Sequence, residues 1–535
     1  MTQIAALSPS AHRDTFSRDN LPPLDQWPVL DLGPLDYGER LNCATALLDA
    51  TIDRLGPDRP CLRSSDGAVW SYGDLRAQAN RIAAVLVDDL GLVPGNRVLL
   101  RGYNEPWLVA CWLGVLKAGG VAVTTMPLLR AGELATMGEM CRPAVALCDH
   151  RLTEALERAA IPGLTTVVFG STGPDDLCAR AAGKPAEFPD VDTAADDVAL
   201  LAFTSGTTGR PKATMHFHRD VLAIADTFAA HVLRPEPDDV FTGSPPIGFT
   251  FGLGGLVVFP LRVGASVLLL ERATPDVLAD AVAEHAVTVL FTAPTAYKAI
   301  LAGGHADKLA GVRRAVSAGE ALPESVWRAV HEATGLKVID GIGATEMLHI
   351  FIAAADDDIR PGSTGRAVPG YTAAVLDDEG RPVPDGTPGH LAVRGPTGCR
   401  YLGGDRQEIY VRHGWNVTGD TYVRDADGYF VYQARTDDMI VSAGYNIAGP
   451  EVEQALLGHP EVVDCAVVGA PDAERGMVVK AFVVLNPDRT RDVPAAELVD
   501  FVKQAIAPYK RPRVVEFVEE LPRTSTGKLQ RYRLR

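Results

Sequence analysis

The chain has no closely paired cysteines. Its eight, Cys43, Cys61, Cys111, Cys141, Cys148, Cys178, Cys399 and Cys465, are scattered with no CxxC spacing. Structural zinc needs tighter ligands and a disulfide framework belongs to small secreted chains, so reduced, buried thiols in a cytoplasmic protein are expected. Basic charge is also scarce. A formal net charge of −17 excludes the clustered Lys and Arg of a nucleic-acid surface. No apolar run reaches the ~20 residues of a membrane span: residues 107–116 end at Lys117, and residues 249–261 end at Arg262 and are broken by glycines. The N-terminal MTQIAALSPSAHRD lacks the basic stretch and apolar core of a signal peptide. There is no repeat, no low-complexity tract and no GxxxxGK[ST] phosphate loop.

What is present is a globular composition, 47% hydrophobic and 22% charged, over 535 residues. That length implies two to four domains. After an irregular Pro- and Asp-rich arm and a helix near 43–54, strand and helix patterns alternate. Apolar strands are expected at 97–100, 120–125, 144–148, 165–169 and 198–204, then at 266–270, 287–291, 314–317 and 337–340. This rhythm implies parallel sheets covered by helices. From Thr372 short strands with turn signals at 377–380 and 425–428 imply a small antiparallel barrel or sheet. Beyond Arg435 the pattern becomes α+β, with a boundary near Asp437. The fold expected is α/β: residues 1–436 as a large domain of two helix-covered, mostly parallel sheets plus a small β-barrel, and residues 437–535 as a small mobile α+β domain. Residues 503–535 carry nine basic side chains against three acidic ones, a local reversal of sign suited to anionic small molecules.

The chemistry concentrates in five segments. The strand pattern 198–204 runs straight into Thr204, Ser205, Gly206, Thr207, Thr208, Gly209, Arg210, Pro211 and Lys212. Glycines let the backbone approach a ligand, hydroxyls and free N–H groups cradle phosphate oxygens, and Lys212 adds positive charge. A solvated Ser/Thr-rich turn is the bland alternative. This loop resembles the signature loop of the adenylate-forming superfamily of acyl-CoA synthetases, adenylation domains and luciferases, with Ala213 where a glycine is usual. The other family segments follow in order.

The resemblance, from about Thr45 to the C-terminus, implies the following roles. Gly319, Glu320 and Ala321 flank adenine, and Asp340, Gly341, Ile342 and Gly343 close over it. Thr345 contacts the α-phosphate and Glu346 binds magnesium. Ile342 replaces the usual aromatic residue. Asp420 and Arg435 hold the ribose. Lys528, in the 523–528 segment RTSTGK, is the catalytic lysine. It bridges the acyl carboxylate and the α-phosphate as a positioned charge, not a base. Asp437 is the hinge, and Ser442, Gly444 and Tyr445 face the thiol of CoA. Lys510 and Arg511 meet either the nucleotide end of CoA or solvent.

Residues 340–351, 215–220 and 19–23 are similar to benzoate-, 2-aminobenzoate- and salicylate-CoA ligases. That likeness lines an aryl-acid pocket with Phe249, Thr250, Phe251, Ala318, Gly319, Gly341, Ile342, Gly343 and His349. Glycines leave a flat slot and aromatics stack on a ring. His349 is either a core histidine or a pocket wall that recognises a ring substituent. The function implied is an ATP- and magnesium-dependent aryl-CoA ligase. It makes an aryl-adenylate and pyrophosphate from a benzoate-type acid, ortho-substituted as in salicylate or 2-aminobenzoate, and passes the aryl group to CoA. The alternative is an aryl-acid adenylating enzyme that loads a separate carrier protein. A non-catalytic nucleotide-binding relative is a third reading. The expected partners are small molecules only, with no nucleic acid and no membrane, and a homodimer is left open.

Overall fold

A computed structural model describes residues 7–204, 211–404, 406–435, 438–442, 445–472, 476–506, 508–523 and 529–535. Two large sheets carry the N-terminal part. In the six-stranded sheet the order is Thr165–Phe169, Val145–Asp149, Arg97–Arg101, Val121–Thr125, Val198–Thr204 and Lys212–Phe217. Only the last pair is antiparallel. The nine-stranded sheet has a parallel centre running from Pro60–Ser64 through Ser266–Leu269, Val240–Gly243, Val289–Thr292 and Arg314–Ser317 to Ile339–Gly343. Antiparallel strands close both of its edges: Val69–Ser71 on one side, Ile350–Ala353 and Arg366–Ala367 on the other.

The central strands are apolar on both faces because helices cover both faces. The helix Pro106–Lys117 starts on a proline, whose missing N–H costs nothing at a first helical position, and is buried over almost its whole length. A helix apolar all round needs such a site. Lys117, at its end, is 1% exposed and pairs with Asp49 at 2.6 Å and Asp190 at 2.9 Å. Among the described residues no helix is long and apolar enough to cross a membrane.

Past Thr372 come a five-stranded antiparallel sheet and then a C-terminal α+β unit. The first holds Thr372–Leu376, Gly389–Arg394, Trp415–Arg424, Val411–Arg412 and Phe430–Arg435. The second packs the helices Gly449–Leu457 and Ala495–Ala505 around the long hairpin Val462–Asp472 and Gly476–Leu485. Its own apolar core is formed by Ile440, Val452, Leu456, Val467, Val479 and Leu498, among others. The eight cysteines are all free, seven of them buried.

Candidate active site

Parallel strands deliver ligand-binding loops at their C-terminal ends, and most of the candidate residues lie at such ends. Ser317 and Asp340 are register partners on adjacent parallel strands. The segments continuing from them, with Ala318, Gly319, Glu320 and Ala321 on one side and Gly341, Ile342 and Gly343 on the other, therefore run side by side. Gly319 adopts φ +92°, a backbone conformation that a side chain would strain. Asp340 is half-buried, and burial pushes its carboxyl well above the usual range against one backbone N–H of Gly341. A carboxyl whose charge is disfavoured is mimicked by a neutral side chain that both donates and accepts. Replacing it by the amide that does the same, Asp340→Asn, is expected to leave the KM for ATP close to wild type. Asp340→Ala is expected to raise it about tenfold, the worth of one buried hydrogen bond.

After Gly343 the chain turns through Thr345–Met347, with Leu348 at φ +69°. Strain of this kind in a non-glycine residue persists only where surrounding contacts over-determine the backbone. Here they do. His216 Nε2 donates to the Thr345 carbonyl at 2.8 Å and lies 3.0 Å from the Thr214 hydroxyl. The Thr397 hydroxyl donates to the Met347 carbonyl at 2.8 Å. The Tyr401 hydroxyl donates to Glu346 Oε1 at 2.5 Å. The Tyr401 ring in turn lies 5.9 Å from Lys212 Nζ. Burial lowers the Lys212 ammonium from its ordinary value, aided by Arg406 and opposed by Glu346. Thr204, Lys212, Thr345 and Glu346 thus converge.

Thr204 and Lys212 are register partners, so the ends of the phosphate loop are pinned by the ladder itself. Ser205, Gly206, Thr207, Thr208 and Gly209 lie outside the described residues, as do Asp437, Gly444, Lys528 and the side chain of Tyr445. Asp420 and Arg435 face each other across an antiparallel pair, Arg435 Nη1 donating to Asp420 Oδ1 at 3.0 Å. Arg523 and Leu529 form a bridge, with the Arg523 guanidinium 3.0 Å from Asp464 and 3.7 Å from Glu320. The described residues that flank 524–528 thus pair with each other, and one of them, Arg523, reaches Glu320. Ser442 sits in the C-terminal sheet, paired with Tyr445 and Gly476. Lys510 is bonded to Glu451 at 2.6 Å.

Several of the residues expected to line the aryl pocket cluster around His349. Its ring lies 4.6 Å from Phe259 edge-on, 5.3 Å from Phe228, 5.7 Å from Phe251 and 6.4 Å from Phe291. Phe249 and Thr250 open the helix that carries Phe251. A Cβ on Gly254 would fall 2.3 Å from His349 Cδ2, and one on Gly343 would fall 2.8 Å from the His349 carbonyl oxygen. Bare backbone therefore encloses the imidazole. Ala318, Phe251 and Ile342 belong to the same apolar cluster. Burial pushes the His349 imidazole down to about 3, opposed by the backbone of Phe251, so the ring is neutral at pH 7. The Phe251 backbone is a polar neighbour of the ring, and beyond it neither ring nitrogen has a well-formed hydrogen bond among the described residues. A buried ring nitrogen without a full partner is costly unless a ligand or water meets it.

His216 and Tyr401 were not legible as site residues, because their contacts to Thr345 and Glu346 span 129 and 55 residues and leave no local signal. Among the described residues no group of three or more His, Cys, Asp or Glu could cage a metal. A single carboxylate beside a phosphate site does fit magnesium, which binds through one or two carboxylates and keeps its other positions for water and phosphate oxygen.

The sequence model of the AMP-binding enzyme family matches residues 49–401, and that of the AMP-binding enzyme C-terminal domain matches residues 451–528. The chain belongs to the AMP-binding enzyme family, in its aryl-CoA ligase branch. It is 35% identical to the benzoate–CoA ligase of Thauera aromatica, over 93% of this chain and 96% of that one. It is 34% identical to the 4-hydroxybenzoate–CoA/benzoate–CoA ligase of Rhodopseudomonas palustris, over 87% and 88%. Among solved structures it superposes with TM-score 0.88 on the anthranilate CoA ligase AuaEII in complex with anthranoyl-AMP, at 34% identity over 93% of this chain and 97% of that one.

Proposed function

We propose that this chain is an AMP-forming aryl-CoA ligase that takes an ortho-substituted benzoate, salicylate or 2-aminobenzoate in kind. The observation that carries the reading is the neutral, buried His349 imidazole among four phenylalanines, beside the Thr345–Glu346 turn. A neutral imidazole offers one donor and one acceptor, matching a hydroxyl or amino group on the ring. Such a site discriminates strongly, because a substrate without the polar group leaves buried nitrogens unmet. In this reading ATP lies with adenine between the 318–321 and 340–343 segments and its ribose on Asp420 and Arg435. Its phosphates lie on residues 204–212. Glu346 holds magnesium, which supplies charge neutralisation at the phosphates. Thr345 contacts the α-phosphate, where the acid's carboxylate attacks and pyrophosphate leaves. CoA then takes the aryl group near Ser442, Gly444 and Tyr445, with residues 437–535 acting as a separate domain hinged at Asp437. The eight free cysteines support a cytoplasmic setting.

Pyrophosphate release and thioester formation across benzoate, salicylate, 2-aminobenzoate, 4-hydroxybenzoate and octanoate test this. An ortho-substituted acid is expected to give the highest kcat/KM, and His349→Phe is expected to erase its advantage over benzoate. Octanoate turning over best would overturn the pocket assignment. Aryl-adenylate without thioester from free CoA would transfer the reading to a carrier-loading enzyme.

A further inference from the structure

We propose that Tyr401 is the positioning residue for magnesium: its hydroxyl orients the Glu346 carboxylate so that the second oxygen, Oε2, faces the metal. The inference rests on the ATP-dependent reading above and adds to it a residue that the sequence motifs did not single out. Tyr401 is 3% exposed, and its ring packs edge-on against Tyr410, with centroids 6.0 Å apart. Its backbone N–H donates to Gln407 Oε1 at 3.0 Å, and its backbone bridges to Thr214. The preceding residue, Arg400, is fully buried and ion-paired with Asp220.

A phenol hydroxyl beside a carboxylate oxygen is the donor of the pair, and the Tyr401 hydroxyl donates to Glu346 Oε1. A carboxylate on a flexible stem loses rotamer freedom when it binds a cation. Tying one oxygen to a rigid phenol removes that freedom beforehand. This is the way a group behind a metal ligand commonly sets its orientation and basicity. Because Thr345 is tied through its carbonyl to His216, two adjacent residues of the turn are fixed from two different elements. Tyr401 touches no reacting atom in this arrangement.

The test is an equilibrium titration of Mn2+ by electron paramagnetic resonance on the full-length protein with β,γ-methylene-ATP and no aryl acid, beside the magnesium dependence of pyrophosphate release. Tyr401→Phe is expected to weaken Mn2+ binding on the order of tenfold. It should raise half-saturating magnesium in parallel, with most of the rate restored at saturating metal. A merely structural tyrosine would lower the melting temperature and the rate at every magnesium level alike. Tyr401→His, which keeps a ring donor in a similar space, is expected to bind Mn2+ more tightly than Tyr401→Phe. Equal Mn2+ affinity in wild type and Tyr401→Phe, or equal weakening in the two variants, overturns the proposal and leaves the ATP reading intact. A wild type that fails to bind Mn2+ with the nucleotide overturns both.

Discussion

Lys528→Ala is expected to lower acid-dependent pyrophosphate release ~10²–10³-fold, the range found when a single preorganised donor to a developing charge is removed. The physical demand is specific. An aryl carboxylate must approach a phosphate that already carries negative charge, and further charge builds on the phosphate oxygens as the bond forms. One ammonium between the two anions offsets both effects. It acts as a fixed charge, so the loss should be the same across the neutral pH range, and a general-base role would show a pH-dependent loss instead. The neighbourhood supports the assignment: Arg523 and Leu529, which bracket the 524–528 loop, are bridged to each other, and Arg523 stands 3.7 Å from Glu320. Thioester formation from synthetic aryl-adenylate and CoA should survive the substitution, because there the thiol attacks the acyl carbon, AMP leaves, and no carboxylate has to approach the phosphate. Unchanged pyrophosphate release would remove Lys528 from the mechanism and favour a non-catalytic relative.

Asp220→Ala is expected to be the most destabilising single change in the molecule, costing about 3–5 kcal/mol in urea unfolding. Asp220 and Arg400 are both fully buried and ion-paired. Asp220 also accepts the Phe217 backbone N–H at 3.0 Å, and Arg400 donates to the Met215 carbonyl at 3.2 Å. Burial pushes the Asp220 carboxyl up, but Arg400 and His216 outweigh it and hold it below its ordinary value. The same burial lowers Arg400. Truncating the aspartate strands a guanidinium in the core, whereas replacing both partners, Asp220→Ala with Arg400→Met, should recover part of the loss. The sign with pH follows from the lowered carboxyl. The pair stabilises fully above the ordinary carboxylate range, and that contribution is lost as pH falls through the folded-state value. A midpoint for Asp220→Ala within 1 kcal/mol of wild type would show that water reaches the pair. Because His216 lies beside Asp220 and bonds Thr345, a mild loss of adenylation should accompany the loss of stability.

Several parallel strands were legible from their apolar runs: 165–169, 198–204 and 314–317 agree with Thr165–Phe169, Val198–Thr204 and Arg314–Ser317, whereas Pro60–Ser64 and Val240–Gly243, too short or too mixed to stand out, were not anticipated. The antiparallel sheet after Thr372 was legible from its turns, but two antiparallel strands of the large sheets were not. Lys212–Phe217 follows a glycine- and hydroxyl-rich sequence that hides the strand, and its fully buried Thr214 and His216 are polar because they support the Thr345 turn. Ile350–Ala353 follows the pocket segment without a break and reads as its continuation. Motif order located Glu346, Asp420 and Arg435, because each sits in a short segment whose neighbours are also distinctive. Tyr401 sits in a stretch with no such pattern, and its meaning comes only from the distant carboxylate it meets.

The ladder between Trp415–Arg424 and Phe430–Arg435 also dictates where this protein can be divided. Asp420 and Arg435 are partners in the last register step of that ladder. A two-piece version split just after Arg435 keeps both proposed sugar contacts on one polypeptide, together with the strand that squares them up. A split a few residues earlier removes the outer strand of the sheet and leaves Asp420 at a bare edge. The natural seam for reassembling the enzyme from fragments is thus set by backbone pairing, and it falls directly after the proposed sugar contacts.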